Sequence, residues 1–155
     1  MRVLDTSAIL SGRWQGGDVV TVPGVIDEFE EGGHSFRMLQ YAREAGLRVL
    51  LPPEAAVRRV RDAARDTGDL AALSEADVEV LALAASRDGA VMVTDDYAMQ
   101  NVARELDVRY ATVVQRGIRE QWTWRYRCSS CGRRVDAGME QCPVCGGPIR
   151  RVRWK

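Results

Sequence analysis

A chain of 155 residues has room for one domain, or one domain with a small appendage. Its 46% hydrophobic and 28% charged residues exclude a disordered or fibrous protein. The formal charge is zero, but residues 116–155 carry nine Arg and Lys155 against three acids, a net +7, and residues 1–115 carry the compensating −7. An acidic body with a basic tail suits a polyanion-binding protein whose reactive pocket is itself anionic; two lobes that attract each other would show the same split.

The first apolar run, Val3-Leu4, ends at Asp5, and Thr6-Ser7 then offer hydroxyls where a helix can begin over Ala8, Ile9 and Leu10. A strand that delivers an acid to its C-terminal end, with a helix following, is how open α/β sheets expose a reactive group. Asp18 to Val22 is a second short strand, and Pro23 suits the first position of a helix carrying Val25, Ile26, Glu28 and Phe29 up to Gly32-Gly33. Ser35 to Ala45 is helical, Leu47 to Leu51 is a strand stopped by Pro52-Pro53, and Glu54 to Arg65 is an amphipathic helix ending near Gly68. Ser74-x-x-Asp77 opens a helix through Ala85, Gly89 breaks it, and Ala90 to Thr94 is a near-continuous apolar strand. Asp95-Asp96 precedes a helix from Tyr97 to about Leu106, and Val108 to Val114 is the last strand of this pattern. Strands alternating with helices predict an α/β fold, a doubly wound parallel sheet over residues 1–115.

Residues 116–124 are expected to form a polar linker, and from 125 to 155 the texture becomes arginine-rich and aromatic. No charge-free run approaches the length of a membrane span; Val80–Ala85 is among the longest apolar stretches. With Arg2 and Asp5 interrupting any secretory pattern, a soluble, cytoplasmic protein with no membrane contact is expected.

Cys128-x-x-Cys131-Gly132 is echoed by Cys142-x-x-Cys145-Gly146, with ten residues between the pairs. Two such knuckles fit a structural zinc ion held by four thiolates, with Gly132 and Gly146 permitting the tight turns. A disulfide framework is the competing reading and fits poorly with a reducing compartment. A four-thiolate site leaves no open position for catalysis, and zinc would contribute about 10–16 kcal/mol of apparent binding energy to folding this lobe.

Four acids stand out by position: Asp5 after the first strand, Glu28 on a helix, Asp77 at a helix start, and Asp95 or Asp96 after a buried strand. Strand ends gather on one edge of such a sheet, and carboxylates gathered there repel unless Mg²⁺ or Mn²⁺ neutralises them. Such a cluster can activate water for phosphodiester cleavage. Each acid also has a structural reading: Asp77 as the partner in a capping box, Asp5 and Asp96 as helix caps, Glu28 as one acid on a solvated face.

Val3-Leu-Asp-Thr-Ser-Ala-Ile9, Val22-Pro-x-Val-x-x-Glu28, Leu73-Ser-x-Ala-Asp77 and Val93-Thr-Asp-Asp-Tyr97 resemble, in order, the acidic motifs of PIN-domain ribonucleases. With the cysteine tail, the chain is similar to the short, archaeal-type endonucleases that mature the 3′ end of small-subunit ribosomal RNA. The resemblance implies metal-binding and catalytic roles for Asp5, Glu28, Asp77 and Asp96, with Asp95 as a second ligand or an orienter. It also implies that Ser7 and Thr94 hold these carboxylates by hydrogen bonds. The one histidine, His34, matches no motif and is expected at the surface.

Arg133, Arg134, Arg150, Arg151, Arg153 and Lys155 are the candidate phosphate contacts. Trp122, Trp124 and Tyr126 alternate with cations in a pattern that could stack bases or pack the zinc lobe. Trp154 is expected to touch a partner or substrate. The implied activity is metal-dependent hydrolysis of precursor small-subunit ribosomal RNA in a pre-ribosomal particle, leaving 3′-hydroxyl and 5′-phosphate ends. The competing readings are a toxin-type PIN ribonuclease acting on transfer or messenger RNA, and a non-catalytic ribosome-assembly adaptor.

Overall fold

The computed structural model describes residues 1–14, 17–113, 123–136 and 138–154. Strand β1 (Arg2–Leu4) runs into helix α1 (Thr6–Ser11), followed by β2 (Val19–Thr21), α2 (Pro23–Asp27), α3 (His34–Glu44), β3 (Arg48–Val49) and α4 (Glu54–Thr67). A 3-10 turn at Leu70–Ala72 leads to α5 (Glu75–Ala85), β4 (Val91–Val93), α6 (Tyr97–Glu105) and β5 (Arg109–Ala111). The five strands are parallel in the order β3-β2-β1-β4-β5, as the alternating pattern predicts.

Winding runs outward from β1 through β2 to β3, then returns to β4 on the other side. The topological switch point therefore lies between β1 and β4, where an open α/β sheet leaves a crevice at its strand ends. The register Leu4↔Val93 brings Asp5 level with Thr94, and the Asp5 N–H donates to the Val93 carbonyl at 3.3 Å. Helix α5 packs on β1 and β4 and against α2, α4 and α6. Its residues Val78, Val80, Leu81, Ala82, Leu83 and Ala84 are buried on all sides, as an unstriped apolar helix must be.

Several elements are shorter than their sequence patterns. The expected strand Leu47–Leu51 pairs in ladder form only at Arg48–Val49, because it is a sheet edge with exposed side chains; its Leu50 N–H still reaches the Thr21 carbonyl at 2.9 Å. Helix α2 ends at Asp27, so Glu28 is its C-cap and not an interior residue. His34 begins α3 and is exposed. Val114, Trp122, Lys155 and most of the expected linker lie outside the described residues, as do the side chains of Arg153 and Trp154.

The second lobe is an antiparallel sheet of β6 (Thr123–Cys128), β7 (Arg134–Val135) and β8 (Ile149–Trp154), in the order β7-β6-β8. It docks on the end of α4. Gly68 has φ +77°, and a methyl there would lie 2.5 Å from the Trp124 carbonyl oxygen and 2.7 Å from Trp124 Cβ. Only glycine meets both the left-handed backbone and this close approach. Beside it, buried Asp69 accepts hydrogen bonds from Asn101 Nδ2 of α6, at 2.6 Å, and from the Arg151 guanidinium of β8. The same guanidinium stands 4.2 Å from the centroid of the Trp124 ring.

Candidate active site and metal centre

At the switch point the local structure that forms each helix start also aims a carboxylate. Asp5 caps α1, accepting the Ala8 N–H at 2.6 Å and the Ser7 hydroxyl at 2.9 and 3.0 Å. Asp96 caps α6 through the Met99 N–H at 2.9 Å. Asp77 closes a capping box with Ser74, accepting its N–H at 2.8 Å. Glu28 accepts the Thr6 hydroxyl. The structural readings of Asp5, Asp77 and Asp96 are thus all realised, and they are also what places these groups.

The electrostatics link Asp77 to the other three. Burial pushes the Asp5 carboxyl above its ordinary value; hydrogen bonds from Thr94, Ala8 and Ser7 oppose the rise, and the charge of Asp77 adds to it. Burial likewise raises Asp77, the Ser74 bonds oppose it, and the charges of Asp96 and Glu28 add to it. Repulsion of this kind acts between near neighbours. Asp77 is thus the acid that links the set, acting on Asp5 and acted on by Asp96 and Glu28, and among the described residues none of the four is in an ion pair. Among the described residues only the four cysteines bring ligand atoms within metal-holding distance of one another.

Asp95 is drawn elsewhere. Its carboxylate accepts the Val113 N–H at 2.9 Å, tying the β4 end to the chain beyond β5. Of the adjacent acids it is Asp96 whose charge bears on Asp77. Thr94 is fully buried and central: its hydroxyl accepts the Asp96 N–H at 3.0 Å, donates to Met99 Sδ at 3.4 Å and lowers the Asp5 carboxyl against the effect of burial.

Three supporting residues escaped the sequence reading. Glu79 accepts the Gly24 N–H at 3.0 Å, and Gly24 lies so close to Ala76 that a methyl there would be 3.1 Å from its Cα. This contact seats α2 on α5 and so carries Glu28 toward Asp77. Gln100, fully buried, donates to the Thr94 carbonyl at 3.2 Å. The third is Asp69; a Gly-Asp pair between an amphipathic helix and the apolar Leu70–Ala72 turn was the available signal.

In the second lobe the sequence repeat becomes a structural one. The Cys128 N–H donates to Arg133 O and the Cys142 N–H to Gly147 O, both at 2.9 Å, and Gly132 and Gly146 return to Cys128 O and Cys142 O. Both glycines have positive φ. The sulfurs of Cys128 and Cys145 are 3.4 Å apart, those of Cys131 and Cys142 3.7 Å, and all four ligand atoms lie within 4.8 Å of one another. Tetrahedral zinc with bonds of about 2.3 Å needs sulfurs about 3.8 Å apart, so the thiols fit zinc. Backbone N–H groups, that of Cys131 foremost, lower the Cys128 thiol to about 6, toward the thiolate a metal requires.

The candidate RNA contacts divide. Arg133, Arg134 and Arg150 are exposed. Arg151 is not an RNA-facing cation: it is spent on Asp69 and on the Trp124 ring, because a buried carboxylate at the seam needs a partner. Trp124 is half-buried in that seam, so its packing role prevails.

The family described as PIN domain of ribonuclease matches residues 2–86, over half of the chain. The chain belongs to the PIN-domain ribonucleases, a family of divalent-metal-dependent enzymes, and it is an endoribonuclease. It is similar to Endoribonuclease Nob1 of Archaeoglobus fulgidus, 38% identical over 99% of this chain and 92% of that protein. It is also similar to Endoribonuclease Nob1 of Methanothermobacter thermautotrophicus, 34% identical over 99% of this chain and 94% of that one. Ribonuclease VapC1 of Thermoplasma acidophilum is 36% identical over 96% of this chain and 76% of its own length. The matches to the two Nob1 proteins take in the cysteine lobe as well as the α/β body.

Proposed function

We propose that this chain hydrolyses phosphodiester bonds in precursor small-subunit ribosomal RNA, with Asp5, Glu28, Asp77 and Asp96 holding Mg²⁺ or Mn²⁺. The observation that carries the reading is that Asp5 and Asp96 cap the helices after β1 and β4 at the switch point while Asp77 acts on Asp5 and feels Asp96 and Glu28, in a chain that matches endoribonucleases along its length. A cation bound there would offset the phosphate charge and activate water.

The chain's own residues supply the preorganisation. Ser7 and Ala8 fix the Asp5 rotamer, Ser74 that of Asp77, Met99 that of Asp96 and Thr6 that of Glu28. Asp77, Asp96 and Glu28 are each held through one carboxylate oxygen, which leaves the other as a ligand atom. The β1–β4 register, with the Asp5 N–H on the Val93 carbonyl and the Asp96 N–H on the Thr94 hydroxyl, sets how Asp5 and Asp96 stand to each other. Zinc in the cysteine lobe is structural, and exposed Arg133, Arg134 and Arg150 face the polyanion.

The test is incubation of the purified protein with precursor small-subunit RNA and Mn²⁺, mapping the ends produced. A discrete cut near the mature 3′ end, leaving a 3′-hydroxyl and a 5′-phosphate, is expected. Selective cleavage of transfer or messenger RNA instead would establish the toxin-type reading, for which the match to Ribonuclease VapC1 is the observation in favour. Absence of cleavage with retained RNA binding would leave the adaptor.

A further inference from the structure

The seam between body and ribbon is open beside the Gly68–Trp124 contact. A cavity of about 380 Å³ lies between the C-terminal end of α4 and strands β6 and β7, where Arg65, Arg125, Arg134, Tyr126 and Asp136 contribute to its walls. A second, of about 370 Å³, is walled by Leu70, Ala71 and Tyr126, and both share Arg65, Gly68 and Tyr126. One compartment thus presents three guanidinium groups against Asp136, with Arg65 also bridged to Asp62 on its own helix at 2.5 Å, and the adjoining one is apolar. Anion beside planar apolar group is the profile of a nucleotide.

The side chains sort accordingly. Arg65, Arg125 and Arg134 are exposed, where a phosphate can reach them. The Trp124 ring already carries Arg151, so Tyr126 is the ring placed to accept a base. The walls are held in position from both sides, by Gly68 against Trp124 and by Arg151 on Asp69. The groove is joined to the candidate acids by a short stretch of chain, because α4 ends at Thr67 and Leu70–Ala72 leads directly into Ser74 and Asp77.

We infer that this groove is a subsite for an unpaired nucleotide of the substrate strand flanking the scissile phosphate, an inference that rests on the RNA-cleaving reading above. The base must be unpaired, since a base stacked within a duplex cannot lie on Tyr126. Arg65 is the decisive residue. It belongs to the α/β body, so a basic ribbon that bound RNA by itself would make no use of it.

The experiment uses full-length, zinc-loaded protein carrying Asp5→Asn to prevent cutting, with anisotropy titrations of a labelled single-stranded RNA and a duplex of the same composition. Arg65→Gln should weaken single-strand binding about tenfold through a lost charged hydrogen bond. Tyr126→Ala should do so by about tenfold through lost stacking, and Tyr126→Phe should restore it. Tyr126→Ala should leave duplex binding unchanged, and Arg58→Gln, on the same helix outside the groove, should leave both unchanged. Zinc content identifies any variant whose ribbon has unfolded; if Tyr126→Ala has lost zinc, Arg65→Gln and Tyr126→Phe decide. Parental single-strand affinity in Arg65→Gln overturns the subsite and leaves the cleavage reading intact. A parent chain that neither binds nor cuts RNA in Mn²⁺ overturns both.

Discussion

The Asp77 carboxylate closes a capping box with Ser74 while facing the charges of Glu28 and Asp96, so it serves local structure and crowds the site at once. Losing one charged ligand from such a set should cost on the order of 10²-fold or more in rate, so Asp5→Asn and Asp77→Asn are expected to abolish cleavage while RNA affinity persists. Near-normal turnover by both variants in Mn²⁺ would return these acids to capping duty. The raised Asp5 and Asp77 carboxyls also fix a sign. Between the ordinary carboxylate range and the raised values the folded state holds more protons than the unfolded chain, so stability without Mg²⁺ or Mn²⁺ falls as pH rises through that window. Asp5→Asn removes one of these charges but keeps an N-cap acceptor. At neutral pH, with zinc retained and no other metal added, its melting temperature should match or exceed the parent's; a drop of several degrees would show that the ionised carboxylate stabilises the fold.

Elements do separate work in the two lobes. Helix α5 is packed through Ala76, Val78 and the buried run Val80–Ala84 and needs no ligand to form, whereas β6, β7 and β8 meet around four thiols. Cys142→Ser should therefore unfold the ribbon and leave the α/β body folded, seen as loss of zinc and of ribbon amide signals with the remaining spectrum retained. Loss of the whole spectrum would mean the body depends on the ribbon. Gly68→Ala tests the hinge between them. It demands a left-handed alanine and a methyl against Trp124, so it should detach or shift the ribbon at a cost of about 1–3 kcal/mol, with zinc still bound. Unchanged Trp124 fluorescence and melting temperature would contradict the docking.

Across the whole molecule, charge is used twice. Arg151 neutralises Asp69, whose side chain is only 2% exposed, so Arg151→Ala leaves a buried carboxylate without its cation and should cost about 2–3 kcal/mol in denaturant unfolding of the zinc-loaded protein. A change within about 0.5 kcal/mol would mean water replaces the guanidinium. Among the described cations of the lobe, Arg133 and Arg150 are exposed. Arg133, Arg150 and Arg153 replaced by Gln should weaken RNA binding more than saturated cleavage, and should flatten the salt dependence by up to about 0.7 log unit per lost phosphate contact. Unchanged affinity and slope would assign the basic lobe to a protein partner.

Much of this was legible before any coordinates. The α/β alternation, the acids at strand ends and the doubled Cys-x-x-Cys-Gly are short-range patterns, and short-range chemistry sets them: side-chain periodicity, helix capping and knuckle turns act over a few residues. Strand lengths were less legible, because Leu47–Leu51 reads as five apolar-rich residues whether or not a neighbour pairs with it. Only the tertiary structure gives Asp95 and Asp96 different surroundings, since adjacent carboxylates differ by what lies opposite, the Val113 N–H for one and Asp77 for the other. It also moved Arg151 from the RNA face to the seam. A buried ion pair joins residues 82 positions apart, and no local pattern marks which arginine of a basic tail will meet the one carboxylate that folding takes out of water.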